Sequence, residues 1–189
     1  MNRRESVEEL KAIWKILDED LDQAVKYGQS DNTPYAQRAL VRTFFAAVEG
    51  LSYQLRRVTL ASIGHTPIFS AAEKQLLQEK RYSLDNAGKP KSGEAYLPFP
   101  QSLLFSIAMY AKNHGAVYKP DVSGNGWTSM KLAIKARNNV THPKSVLSLS
   151  LSDQDLAAFM EASRWWHSTT LSMFAACEDA NARIRNQAT

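Results

Sequence analysis

The chain has 189 residues, 44% hydrophobic and 22% charged, with 23 Lys and Arg against 19 Asp and Glu. These are the proportions of a globular protein, and they exclude a disordered, collagenous or disulfide-scaffolded chain; the one cysteine, Cys177, can form no internal disulfide. Residues 1–35 hold five basic and eight acidic side chains, so the positive excess lies in the remainder, and an anionic partner is expected to meet the body of the protein rather than its first helix.

Taken in chain order, Ser6-Val7-Glu8-Glu9 has the form of a capping box and opens the stripe Leu10, Ile13, Trp14, Leu17, Leu21, Val25. This predicts an acidic N-terminal helix over 6–28, ending near Gly28. Thr33-Pro34 opens a second, long helix, with Leu40, Phe44, Ala47, Val48, Leu51, Leu55 and Val58 at helical spacing. Ser70-Ala71-Ala72-Glu73 is another capping box and predicts a short third helix to Gln78 or Arg81. Residues 82–100 change character, with glycines, prolines and a Lys-rich middle, and read as a small β-hairpin excursion or a surface loop. Leu103, Leu104, Ile107, Ala108 and Ala111 predict a fourth helix that stops at His114-Gly115. A fifth runs from Trp127 through Met130, Ile134 and Arg137 and ends near His142, because Pro143 disfavours helical geometry in the residue before it. Ser152-Asp153-Gln154-Asp155 caps a sixth, whose stripe includes Phe159, Trp166, Met173 and Cys177.

Six helical patterns without strand alternation outside the excursion predict an all-α, up-and-down bundle of five to six helices. A single domain over 1–189 is expected, with its core over 33–175. No apolar run approaches the roughly 20 residues needed to span a bilayer, and Glu5, Glu8 and Glu9 stand where a secretory signal would be apolar. A cytoplasmic protein without a membrane partner is therefore expected, and the sequon Asn139-Val140-Thr141 carries no weight there.

The sharpest local signal is Lys135-Ala136-Arg137-Asn138-Asn139-Val140-Thr141-His142-Pro143-Lys144. At 100° per residue, Arg137 and Thr141 fall on the line of Met130 and Ile134, so the arginine lies along the apolar stripe. A guanidinium there requires an anion, either a buried carboxylate or a bound phosphate, onto which it forks with two parallel bonds. His142, placed at a helix terminus by the following proline, is open to solvent and ligand, and imidazole suits proton transfer near neutral pH.

Gly126-Trp127, Ala136-Arg137-Asn138 and, after three residues, His142-Pro143 together resemble the signature of the HEPN superfamily (higher eukaryotes and prokaryotes nucleotide-binding domains). That signature is Arg, four to six residues, then His, usually with Asn, Asp or His after the arginine. Four residues separate Arg137 from His142, and Asn138 follows the arginine. The resemblance implies a metal-independent endoribonuclease without cofactors, in which the RNA 2′-hydroxyl attacks phosphorus to leave 2′,3′-cyclic phosphate and 5′-hydroxyl ends. It also implies a homodimer with facing motifs, and for some members a toxin or antiviral role with a protein antitoxin. Carried over, His142 is the general acid or base, Arg137 holds the phosphate and Asn138 orients it. Glu49, on the long second helix, is the candidate auxiliary acid.

Glu49 shares a line of that helix with Arg38, Arg42 and Arg56. It is read either as that acid or as the partner of Arg42, Tyr53 or Arg56. Arg38, Arg42 and Arg56, with Lys144, are read either as part of an RNA track or as a solvated face. A catalytically silent binding module, with Arg137 paired to a buried carboxylate, is the alternative to the nuclease. His65, His114 and His167 have no partners at metal-ligand spacing, so no metal site is expected. Trp165 points away from the stripe of Trp166, as a surface for a partner subunit would. Cys177 lies on the buried stripe and is not expected to be a nucleophile.

Overall fold

The computed structural model describes residues 2–63 and 68–187. Its elements are α1 (Arg3–Ser30), α2 (Pro34–Ser62), α3 (Ala71–Leu77), β1 (Lys80–Leu84), β2 (Pro90–Glu94), α4 (Phe99–Asn113), α5 (Asn125–Thr141) and α6 (Asp153–Gln187), with a 3₁₀ turn at Val146–Leu149. The fold is all-α, with one small antiparallel hairpin. Among the described residues no helix is long and apolar enough to cross a membrane.

Local chemistry accounts for the ends. The start of α1 lies upstream of Ser6, because Asn2 and Glu5 form the reciprocal cap: Glu5 N donates to Asn2 Oδ1 at 2.9 Å and Asn2 N to Glu5 Oε2 at 2.9 Å. Ser6 is instead inside the helix and buried. α1 ends at Ser30, two residues beyond Gly28. The Ser70 box forms as expected and caps α3. Ser152 and Asp155 make a third reciprocal cap at α6, with Asp155 N donating to Ser152 Oγ at 3.1 Å and Ser152 N to Asp155 Oδ2 at 3.0 Å.

Two compact units make up the chain: Met1–Leu10, Ser52–Tyr118 and Ala176–Thr189 form one, Lys11–Leu51 and Lys119–Ala175 the other. In the first, Leu55, Val58, Leu77, Leu103 and Ile107 are almost wholly buried, and Phe69, Leu77 and Met109 make a cluster against Leu60 and Phe105. In the second, Val41, Phe44, Phe45, Val48 and Leu51 of α2, Met130 and Ala133 of α5, and Phe159, Ala162 and Trp166 of α6 are buried together. Phe44 and Phe159 meet edge to face, ring centres 5.2 Å apart, a geometry worth about 0.5–1.5 kcal/mol beyond the burial of area.

Residues 82–100 resolve into the hairpin, which begins earlier than the sequence suggests, at Lys80, and into an extended stretch that leads to α4. Its ladder pairs Lys80 with Glu94, Arg81 with Gly93, Tyr82 with Ser92, Ser83 with Lys91 and Leu84 with Pro90. Asp85 Oδ1 closes the turn by accepting from Ala87 N and Lys89 N, both at 2.8 Å.

Candidate functional site

Positioning of the candidate motif begins before α5, with the loop that leads into it. Asp121 Oδ1 accepts from Ser123 N at 2.9 Å and from Ser123 Oγ at 2.7 Å, and these bonds hold its carboxyl below the usual carboxylate range. Trp165 Nε1 donates to the Asp121 carbonyl at 2.8 Å, and its ring lies 5.1 Å from that of Trp127, centre to centre. Trp165 therefore packs within the second unit, on the loop and first turn of α5, and is only partly buried there. Gly126 permits the approach: a Cβ there would stand 2.5 Å from Trp165 Cδ1.

At the far end, α5 stops as Pro143 requires. His142 leaves helical geometry, and its N–H donates to the Asn138 carbonyl at 2.9 Å. The last carbonyls of a helix lack intrahelical partners, and Arg42 of α2 supplies one, Nη2 donating to the Val140 carbonyl. A guanidinium at this end also opposes the negative pole of the helix, by about 0.3–1 kcal/mol. Beyond Pro143, Ser145 caps the 3₁₀ turn, and Arg38 Nη1 donates to the Leu149 carbonyl at 3.1 Å. The arginines read as an RNA track or a solvated face thus secure main chain: Arg38 and Arg42 fasten the end of α5 and the segment after it.

Arg56 is also not a surface cation. It lies in the other unit, 8% exposed, with Nη1 donating to Ser102 Oγ at 3.0 Å and Ser106 Oγ at 2.8 Å and Nη2 to Glu79 Oε1 at 2.8 Å. The sequence did hold a signal for this: Ser102 and Ser106, four apart, interrupt the apolar stripe of α4 and so face a common neighbour.

The second unit brings together Glu49, Arg137 and Asn138. Arg137 Nη2 donates to Glu49 Oε1, and Nη1 to Asn138 Oδ1 at 3.1 Å. Glu49 therefore pairs with Arg137 rather than with Arg42, Tyr53 or Arg56, while Tyr53 Oη accepts from Arg57 at 3.2 Å. The ion pair is not buried: the side chains are 23% and 41% exposed. Asn138, Thr141, His142 and Lys144 are all exposed. Asn138 and His142 stand one helical turn apart on the same side, next to the line of Arg137 and Thr141. The end of α5 thus presents an oriented guanidinium, a carboxamide and an imidazole to solvent, with Lys144 exposed in the segment that follows.

The remaining candidates do not join this cluster. A cavity of about 300 Å³ in the same unit is walled by Trp14, Phe44, Trp166 and Phe174, with His167 at its lining, and includes none of the motif residues. His114 belongs to the first unit, its Nδ1 3.1 Å from Asn181 Nδ2 and its ring against Tyr110; burial lowers its pKa below the ordinary imidazole value. Burial pushes the Cys177 thiol up to about 11, which leaves it an unreactive core residue. His65 lies outside the described residues. Among the described residues no three His, Cys, Asp or Glu side chains converge to hold a metal ion.

Comparison with family models, with curated proteins and with solved structures finds no match to this chain.

Proposed function

We propose that this chain is a HEPN-type endoribonuclease that cuts single-stranded RNA without a metal ion or cofactor, with Arg137, Asn138 and His142 as its site and Glu49 as auxiliary acid. The observation that carries the reading is the arginine itself: one guanidinium edge is held by Glu49 and Asn138, one turn before a solvent-open histidine. Fixing a guanidinium in advance of substrate is what stabilisation of a developing phosphorane charge calls for.

In this mechanism a base takes the proton of the RNA 2′-hydroxyl, and the 2′ oxygen bonds to the adjacent phosphorus. The bond from phosphorus to the 5′ oxygen breaks, and that oxygen takes a proton from an acid. The products carry a 2′,3′-cyclic phosphate and a 5′-hydroxyl. Arg137 holds the non-bridging oxygens and His142 moves one of the two protons. Two transfers and one histidine favour a homodimer with a composite site, one imidazole from each protomer. A cytoplasmic toxin or antiviral effector, held in check by a protein antitoxin, is the role that such an activity fits.

The test is incubation of wild type and His142→Ala with end-labelled single-stranded RNA in EDTA. Wild type is expected to cut and leave cyclic phosphate ends, and the variant to be slower by about 10²-fold or more with its fold intact. Equal cleavage by the two proteins would overturn the assignment.

The Glu49 pair also supports a second reading, a catalytically silent RNA- or protein-binding module. There the carboxylate satisfies Arg137 within the chain, and His142 only ends the helix.

A further inference from the structure

The hairpin makes no contribution to a core: all ten residues of β1 and β2 are exposed. Two strands alone are marginal in water, so its base must hold it, and the base is built for that. Glu79, just before β1, is a non-glycine residue with φ +52, a conformation costing about 1–3 kcal/mol in general. Its carboxylate accepts from the buried Arg56, and its carbonyl accepts from Ala95 N at 2.7 Å, so both ends of the hairpin are fixed to one strained residue.

The register separates the charges of the hairpin by face. On one face Lys80 stands opposite Glu94, and the two offset each other. On the other, Arg81 and Lys91 are diagonal neighbours, with Ser83 and Gly93 as the remaining ladder residues. That face holds two like charges and no carboxylate within the ladder, so nothing in the ladder offsets them. The acid at the turn, Asp85, is directed into the backbone of the turn. Gly93 leaves the Arg81 side chain room to lie across the ribbon, its Nε 3.7 Å from where a Cβ would be. The cavity of about 520 Å³ at the root, lined by Glu79, Lys80 and Glu94, carries more negative than positive charge and is not the anion surface.

We infer that the hairpin is an RNA-gripping arm, whose Arg81 and Lys91 face binds the phosphate backbone of the substrate strand. This rests on the reading of RNA as substrate. Contacts of this kind supply affinity without sequence choice, and the guanidinium and ammonium on one face suit two successive phosphates.

The experiment measures binding of a labelled single-stranded RNA to the His142→Ala protein, with and without Arg81→Glu and Lys91→Glu together, at roughly 50 to 200 mM salt. The charge reversal is expected to weaken binding about tenfold or more, and to lower the slope of log affinity against log salt by about 1.4, about 0.7 for each lost phosphate on a single strand. Arg81→Lys with Lys91→Arg should retain binding, and the melting temperatures should agree because the side chains are exposed. Unchanged RNA affinity in the reversed variant overturns the arm. So does loss of affinity for polyglutamate alone, which would make an acidic polypeptide the partner. Failure of the nuclease is read separately: wild type that cuts no RNA, with binding that depends on the arm, removes the catalytic reading and leaves the arm standing.

Discussion

Glu49 and Arg137, 88 positions apart in the chain, form one ion pair that turns the arginine toward Asn138 and the terminal turn of α5. With 23% and 41% of the side chains exposed, the pair falls among those that contribute about 0–1 kcal/mol, well short of the loss that follows when one partner of a buried pair is removed. Glu49→Gln keeps the shape and removes the charge. The expected result is a melting temperature lowered by no more than about 2–4 °C, with RNA cleavage reduced about tenfold or more. A change in melting temperature with no cleavage to lose would favour the silent module.

Gly126→Ala tests the seat of α5. The added methyl would stand within 2.8 Å of three Trp165 atoms, so either the indole or the helix start must move. Overpacking of this kind costs about 1–3 kcal/mol. Chemical unfolding should show a lower midpoint with an unchanged slope, and an unchanged midpoint would mean that Trp165 moves aside freely.

Acid should weaken the first unit through His114. Burial lowers its pKa, an effect that Arg3 reinforces and the Asn181 contact opposes, and Tyr110 against the ring is neutral, its own pKa pushed up to about 12. The unfolded chain binds a proton near pH 6.5 and the folded one only below that. Stability is therefore complete above about pH 6.5 and falls as the pH drops through the folded value. Carboxylates such as Glu73, lowered chiefly by the bond from Lys112, lose their contribution only further into acid. Melting followed between about pH 7.5 and 5.5 should decline in wild type and decline less in His114→Gln; parallel curves would exclude His114 as the source.

Much of the fold was legible because it is written in local chemistry. The stripes of α2, α4 and α6, the Ser70 box and the Thr33-Pro34 start all act within a turn or two. The errors arose where two local signals competed, as Asn2 with Ser6 at the start of α1, or where a signal is too short for periodicity, as in the 3₁₀ turn at Val146–Leu149. The motif line of Arg137, Asn138 and His142 was readable from helical spacing. What Arg38, Arg42 and Arg56 bind was not: two carbonyl groups, and one pocket of hydroxyls and a carboxylate, are brought to them by residues 23 to 111 positions away. A charged line on a helix looks the same in sequence whether it faces solvent, a phosphate or another segment's main chain. The choice of Glu49 for Arg137 was hidden for the same reason.

A two-stranded sheet has no inner strand, so each strand of this hairpin leaves one row of main-chain groups ready to accept a further strand. Tyr82 and Leu84, 59% and 70% exposed, would strengthen such an addition. Arg81 and Lys91, with Pro90 lacking an N–H, repel a second copy of the same ribbon. The cations therefore oppose polymerisation of the protein through its own edges. Drift that neutralised them would be met first as insolubility, so these positions are under a constraint that requires no ligand.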